Sequence, residues 1–293
     1  MAGVPTNRTN ITLPPEVSAE ILAKTQEASA VMSLARQISL PGRGVSIPVI
    51  TGDPQAAWVG ETAAKPVSNP SLSTKVMEAY KLAVIVPFSN EFRRDAAALY
   101  DELVRRLPLA LAQKFDATVG GAVQAPGSNF DSFASATAQN ITAPNTYTSL
   151  VAADTDIATH SGIMNGIALS PQGKGVLLGA VDDNKRPLFI NNVAEGAVPM
   201  ILGSRVQLSK GAYVAGSPST VGFAGDWTKA MYGIVEGVDI QFSSDASLTL
   251  ENGTTINLFQ QNMFAVRAEI EIGFRADKTV FNKLTATGGV PTL

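Results

Sequence analysis

From Ser89 to Gly121 the chain reads SNEFRRDAAALYDELVRRLPLALAQKFDATVGG, and this stretch constrains the fold more than any other. Phe92, Ala96, Leu99, Leu103, Leu107, Ala110, Leu111 and Phe115 recur at three- and four-residue spacing, the period of a helix with one apolar stripe. Ser89 or Asn90 supplies a cap, Glu91 and Asp95 suit the positive end of the dipole, and Gly120-Gly121 stops the helix. Asp101 with Arg105, and Glu102 with Arg106, stand four residues apart in the favourable order. Pro108 removes one ladder bond and is expected to bend the rod. About 30 residues at ~1.5 Å each give a helix of about 45 Å, longer than a compact domain of this size needs.

Upstream lies a connection with no period of its own, DPQAAWVGETAAKPVSNPSLST, punctuated by Pro54, Gly60, Pro66 and Pro70. Connections longer than about 12–15 residues without structure of their own are uncommon and are usually functional or disordered. A large ring left in water forfeits the gain from its burial, so Trp58 beside Val59 calls for a surface that covers it. On one side VSIPVI alternates Val45, Ile47 and Val49 with small or polar residues; on the other, KVMEAYKLAVIVPFS puts Tyr80, Leu82, Val84 and Val86 on one face. These two segments are expected to pair as a long projecting hairpin with the Trp58 loop between them. An isolated two-stranded hairpin is marginal in water, so it needs another surface to lie on.

Residues 1–14 read as an extended arm. PPEVSAEILAKTQEASAVMSLARQI reads as a helix with Val17, Ile21, Leu22, Val31, Leu34 and Ile38 on its apolar side, ended by Pro41, Gly42 and Gly44. The middle of the chain is mixed: SLVAADTDIATHSGIMNGIALSPQG predicts a helix then a strand, and VPMILGSRVQLS adds strand. The last part is β-rich. There Val266, Ala268, Ile270, Ile272 and Phe274 alternate with Arg267, Glu269, Glu271 and Arg275, giving one dry face and one charged face.

Only 16% of residues are charged, against roughly 25% in an average soluble domain. A 293-residue monomer needs a charged skin, so much of this surface is expected to meet other protein. A net charge of −3 argues against a dedicated nucleic-acid binder held by counterion release. The chain has no cysteine, hence no disulfide, thiolate metal site or cysteine nucleophile. No apolar run approaches the roughly 20 residues that span a bilayer, and the start lacks the pattern of a secretory signal. The Asn-x-Thr triplets at Asn7, Asn10, Asn140 and Asn252 therefore read as turn chemistry rather than glycosylation sites.

The search for chemistry ends empty. His160 lies in DTDIATHSG with Asp154 and Asp156, but on a helix Asp156 and His160 form an ordinary surface pair. Gly173, Gly175 and Gly179 lack phosphate-loop spacing, and no Gly-Lys-Ser/Thr follows them. Asp182-Asp183 sits in a polar turn, where adjacency alone does not make converging carboxylates. Arg93-Arg94 and Arg105-Arg106, with acidic neighbours, read as a solvated or subunit-pairing face rather than a phosphate site. No catalytic, cofactor-binding or metal residues are assigned.

Three stretches, taken in order, carry a family likeness: AAWVGETAAKPVSNPSLSTKVMEAYKLAVIVPFSNEF at 56–92, GDWTKAMYGIVEGVDIQFS at 225–243, and the C-terminal NLFQQNMFAVRAEIEIGFRADKTVFNKL. In this combination the chain resembles the major capsid protein of tailed bacteriophages, a fold shared with encapsulins. The resemblance implies an α+β fold divided into an N-terminal arm (1–40), an extended β-hairpin loop (41–87), a peripheral domain with spine helix and long strands (88–123 and 223–275), and an axial domain (124–222 and 276–293). It implies a structural, non-catalytic protein that assembles with itself as pentamers and hexamers into an icosahedral shell around double-stranded DNA. Trp58, Val59 and Glu61 at the loop tip, with Arg93 and Arg94, are then the expected contacts between subunits. The DNA would touch the inner face weakly and without sequence preference; no membrane and no cofactor are implied. The resemblance allows for separate scaffolding, portal and decoration proteins, and places the product in the virion after assembly in the host cytoplasm. Some relatives carry a scaffolding segment ahead of the arm. Here Met1 leads straight into the arm, so scaffolding is expected to be separate or dispensable. Some relatives join a loop Lys to a neighbour's Asn; Lys65 and Lys75 lie in the hairpin, but no receiving Asn is matched. A compartment shell packaging a cargo enzyme has the same fold and stands as the alternative. An unrelated soluble enzyme is a further one, disfavoured by the missing motifs.

Overall fold

The apolar stripes and alternations set out above become two sheets on one shared core in the computed structural model of the chain. It describes residues 15–42, 44–50, 58–59, 72–91, 96–181, 184, 186–189, 200–250 and 253–287. The N-terminal helix differs from expectation. It splits into α1 (Pro15–Ala28) and α2 (Ala30–Leu34), because Ser29 takes an extended backbone and its hydroxyl accepts the Met32 N–H as a cap. Ala35 is extended too, so the chain leaves the helix before Ile38, and Arg36–Ser39 becomes strand β1. Its backbone groups are satisfied instead by parallel pairing with residues 231–234.

The expected hairpin is also corrected. β2 (Val45–Ile50) pairs with β3 (Leu72–Met77), and not with β4 (Tyr80–Ser89). β4 runs antiparallel along residues 263–272, with Leu82 opposite Ile270 and Val84 opposite Ala268. A strand whose alternation matches a longer apolar partner buries one whole face there, which β2 is too short to offer.

α3 (Ala96–Gly120) has 25 residues, about 37 Å at ~1.5 Å each, and Pro108 lies inside it. Leu103, Leu107, Leu111 and Phe115 of the expected stripe are buried; Phe92 and Asp95 lie outside the described residues. On the exposed side Arg105 and Arg106 both pair with Glu102. The hydrogen bond from Arg105 does most to hold the Glu102 carboxyl below its ordinary range. On the buried side Asp116 ties α3 to the start of α2, accepting the Ser29 hydroxyl at 2.5 Å and the Ala30 and Val31 N–H groups at 2.9 and 3.3 Å. Burial pushes this carboxyl up, more than hydrogen bonds from Ser209, Ser29, Ala30 and Val31 pull it down.

Beyond α3 come β5 (Thr137–Asn140), α4 (Thr146–Thr159), β6 (Gly166–Leu169), α5 (Pro171–Leu178), β7 (Met200–Ile201), β8 (Ser204–Leu208) and β9 (Ser219–Gly225). The β-rich end holds β10 (Ala230–Ile234), β11 (Asp239–Ser243), β12 (Ser247–Thr249), β13 (Thr255–Asn257), β14 (Met263–Ala276) and β15 (Phe281–Ala286). One sheet gathers β1, β4, β10 and β11 around β14; the other runs β5-β15-β9-β6-β8-β7. The dry face read from β14 is present, and so is the charged face except at Arg275, which is buried. Val266, Ala268, Ile270, Ile272 and Phe274 are buried, while Lys81 of β4 reaches Glu269 and Glu271 at 2.8 and 3.2 Å.

The chain crosses from one sheet to the other between β14 and β15, and aromatic rings seal the seam. Phe133 stacks on Phe281 at 4.3 Å and meets Phe274, Phe223 and Trp227 at 5.6–5.8 Å between centroids. Phe115 of α3 joins them through Phe274 at 6.1 Å. Spine helix and both sheets thus share one packed core.

Candidate subunit-contact site

The β2–β3 pair begins at a tight turn that only glycine fits. Gly44 has φ +84, and a Cβ there would lie 2.7 Å from the Met77 carbonyl oxygen. Its N–H donates to the Pro41 carbonyl at 2.8 Å. At the same end Met77 is fully buried, with Leu40 beside it. Gly233 and Gly273 leave room for it: a Cβ at either would come within 3.0 Å of the Met77 side chain.

Charge then fixes the direction of β3. Arg275 donates to the Val76 carbonyl at 2.7 Å, to Asn129 Oδ1 at 2.6 Å and to the Ser128 carbonyl at 3.3 Å. Its guanidinium also lies 3.3 Å from Asp131, and both side chains are about nine-tenths buried. Asp131 accepts the Ala276 N–H at 3.2 Å, and Lys75 and Lys278 approach it at 3.7 and 3.9 Å. Lys75 also donates to the Ala276 carbonyl at 2.9 Å. Each buried charge therefore has a counter-charge and hydrogen bonds, the condition under which burial is tolerated. The hairpin is rooted at its base by a plug and a clamp.

Trp58 is fully exposed, at 106% of its reference surface, and Val59 is exposed beside it. No described residue covers the ring. Of the other expected contact residues, Glu61, Arg93 and Arg94 lie outside the described residues, as do Lys65, Asp182 and Asp183. The dismissed motifs have ordinary roles. Gly173 donates its N–H to Ser170 Oγ at 3.0 Å as the cap of α5, and His160 sits 3.9 Å from Asp156 on α4. Asn140 Oδ1 accepts the Thr142 N–H at 3.0 Å, a turn contact within one Asn-x-Thr triplet.

The model of the Phage capsid family matches residues 9–278. The chain belongs to this family. It is 29% identical to the probable major capsid protein gp17 of Mycobacterium phage D29 over 93% of this chain and 89% of that one. It is 25% identical to the major capsid protein of Staphylococcus phage 80alpha, over 93% of this chain and 84% of that one. Among solved structures, a chain of Mycobacterium phage Adephagia superposes with a TM-score of 0.69 at 19% identity, covering 90% of this chain and 92% of that one. The α+β capsid fold is thereby established. As a member of the phage capsid family, this is a structural protein of the virion capsid that assembles with copies of itself, not an enzyme. Neither the cargo-compartment nor the enzyme alternative is favoured.

Sequence reading missed the clamp. By alternation Arg275 falls on the charged face of β14, yet it is buried and turned toward Asp131. The available signal was Asp131 next to Phe130 and close to Phe133, an acid inside an apolar run that needed a buried cation.

Proposed function

We propose that this chain is the main subunit of an icosahedral head shell, arranged as pentamers and hexamers around double-stranded DNA and assembled in the host cytoplasm. The observation that carries this reading is the rooted hairpin. It is fixed at its base by Met77 and the Arg275–Asp131 clamp, and it bears a fully exposed Trp58 between its strands. An arm rooted in this way and carrying an uncovered aromatic suits a neighbour's surface, with Val59 and Glu61 following the ring in sequence. With β4 placed in the sheet, the projecting loop runs from 45 to 77. The sheet around β14 together with α3 makes the peripheral domain, with Arg93 and Arg94 at its subunit-pairing edge. The sheet of β5-β15-β9-β6-β8-β7 with α4 and α5 makes the axial domain, whose tips meet at capsomer centres. Of residues 1–40, α1, α2 and β1 pack into the shared core and its sheet, so the arm is confined to the residues ahead of α1. Separate scaffolding, portal and decoration proteins complete the particle, and the DNA is held only by weak non-specific contact. Electron microscopy of the purified protein is the test. Closed particles with five-fold vertices are expected; compact monomers alone, in conditions that keep the chain soluble, overturn the reading.

A further inference from the structure

Where α2 and β1 meet β6 and β8 the surface sinks into an open hollow of about 350 Å³. One glycine shapes it. Gly166 of β6 pairs in register with Arg205 of β8, and a Cβ at 166 would lie 2.8 Å from the Trp227 ring and 3.0 Å from the Leu34 side chain. Trp227 and Leu34 therefore close over the bare backbone and form part of the wall. Arg205, paired with that glycine, faces the same side of the sheet. Arg36 joins the lining from the start of β1, its Nη2 3.1 Å from the thioether of Met231, a weak acceptor.

The charge in this hollow is unbalanced. Arg105 and Arg106 pair with Glu102, Arg267 with Glu269 and Arg275 with Asp131. Arg36 and Arg205 form no ion pair with any described residue, and they line the same hollow. No carboxylate lines it among the described residues. Asp226, next to Trp227 in the chain, is buried and already satisfied. Its Oδ1 accepts Asn165 Nδ2 and the Thr228 N–H and hydroxyl at 2.5–3.1 Å, and its Oδ2 accepts the Ile163 N–H at 3.1 Å. The Ser33 hydroxyl, also in the lining, has no hydrogen-bond partner among the described residues. Two guanidinium forks and one hydroxyl are thus left with donors to give.

We propose that this hollow binds a phosphate-class dianion, either free phosphate or the terminal phosphate of a nucleotide. Two positive charges with no counter-charge call for a doubly charged group, and a terminal phosphate carries about −1.5 to −2 at neutral pH. A carboxylate or a backbone phosphodiester brings one charge and matches less well. Guanidinium groups suit the anion because each presents a planar pair of donors to two of its oxygens. Ser33 supplies a further donor. Both arginines are exposed, so salt weakens the attraction. The site goes beyond the shell reading and does not depend on it.

Trp227 reports on the site directly, since Trp58→Phe leaves it as the sole tryptophan of the chain. In that unassembled protein its emission, followed at constant ionic strength, should change saturably with inorganic phosphate and with a nucleoside monophosphate. Arg36→Gln and Arg205→Gln should each raise the half-saturating concentration by about tenfold, the loss expected on removing a hydrogen bond between charged groups. The Lys variants, which keep the charge without the fork, should fall between. Phosphate should also raise the melting temperature of the parent and leave that of the double Gln variant unchanged. Tighter binding of the monophosphate assigns the nucleotide as the source, and equal or weaker binding assigns the free ion; both support the site. No saturable response in either readout overturns it. So does a response matched by chloride, which is an ionic-strength effect only, or one that survives both Gln substitutions. An oligonucleotide without a terminal phosphate that binds where the dianions do not overturns it too, because the ligand would then be the nucleic-acid backbone.

Discussion

Phe133 and Trp58 are both large aromatic residues, and the fold treats them in opposite ways. Phe133 is 0% exposed and Trp58 is 106% exposed. Phe133 lies among Phe223, Trp227, Phe274 and Phe281, where helix and both sheets converge. Trp58 lies beyond a two-stranded extension that, among the described residues, is anchored at its root. The burial of Phe133 is realised when one chain folds. No described residue buries Trp58; if a second copy covers it, as proposed, folding and assembly draw on separate residues and can be perturbed separately.

The largest effect on the subunit is expected at the seam. Phe133→Ala removes a ring that holds two sheets together, and truncation of a buried Phe costs about 3–5 kcal/mol. Urea unfolding of the unassembled protein should show that loss, and particles should vanish because the subunit itself is compromised. A loss below about 1 kcal/mol would mean that the remaining rings collapse into the space and that the two regions are less distinct than argued.

The root of the hairpin comes next. Asp131→Ala leaves Arg275 buried without its counter-charge, a change that costs about 3–5 kcal/mol when no other partner remains. Three neutral acceptors do remain, so the expected loss lies at the lower end, about 3 kcal/mol. Asp131→Asn, which keeps the shape, should lose less. If both variants match wild type in urea, the clamp is not what roots β3.

How much of this was legible depends on how far apart the partners stand in the chain. Leu103, Leu107, Leu111 and Phe115 signalled α3 through local period alone, and Val266 to Phe274 signalled β14 by alternation. β1 was hidden because Ile38 continued the helical spacing of Val31 and Leu34, while the break at Ser29 needed Asp116 from α3 to complete it. The partner of β2 was misread because alternation gives each strand a dry face without naming the strand beside it. The clamp was illegible for the same reason, since Arg275 and Asp131 meet only once β14 has its register. Of the proposed contact site, Trp58 and Val59 stand out as apolar residues in a polar stretch.

A smaller effect, and a pH-dependent one, is expected at Asp116. Asp116→Asn places an amide donor against the Ser29, Ala30 and Val31 donors, and a buried unsatisfied group costs about 1–3 kcal/mol. The folded pKa is raised, so the native state binds more protons than the unfolded one between the ordinary aspartate value and the raised value. Within that window this group makes stability fall as pH rises, and above the folded value it adds no further slope. The wild type should therefore gain on the variant as pH is lowered toward about 4, after which the gap stays constant. Melting temperatures of both proteins across that range check the sign; a gap that narrows on acidification would show that the four donors outweigh burial.

The smallest effect on the subunit is expected at the residue proposed to matter most for assembly. Trp58→Ala removes a ring that touches no described part of its own chain, so the melting temperature and circular dichroism of the unassembled protein should match wild type. If a neighbour buries that ring, its loss falls wholly on association, where aromatic anchors at well-packed contacts are worth about 2 kcal/mol or more each. Every subunit in a closed shell would repeat that contact, so the penalty multiplies and particle yield should collapse. Trp58→Phe keeps much of the apolar body and should recover part of the yield, which a loss caused by misfolding would not do. The comparison with Phe133 breaks if Trp58→Ala lowers the melting temperature of the isolated subunit. That result would place the ring in an intrachain contact, and the projecting hairpin would then be part of the folding core rather than an arm held out for its neighbour.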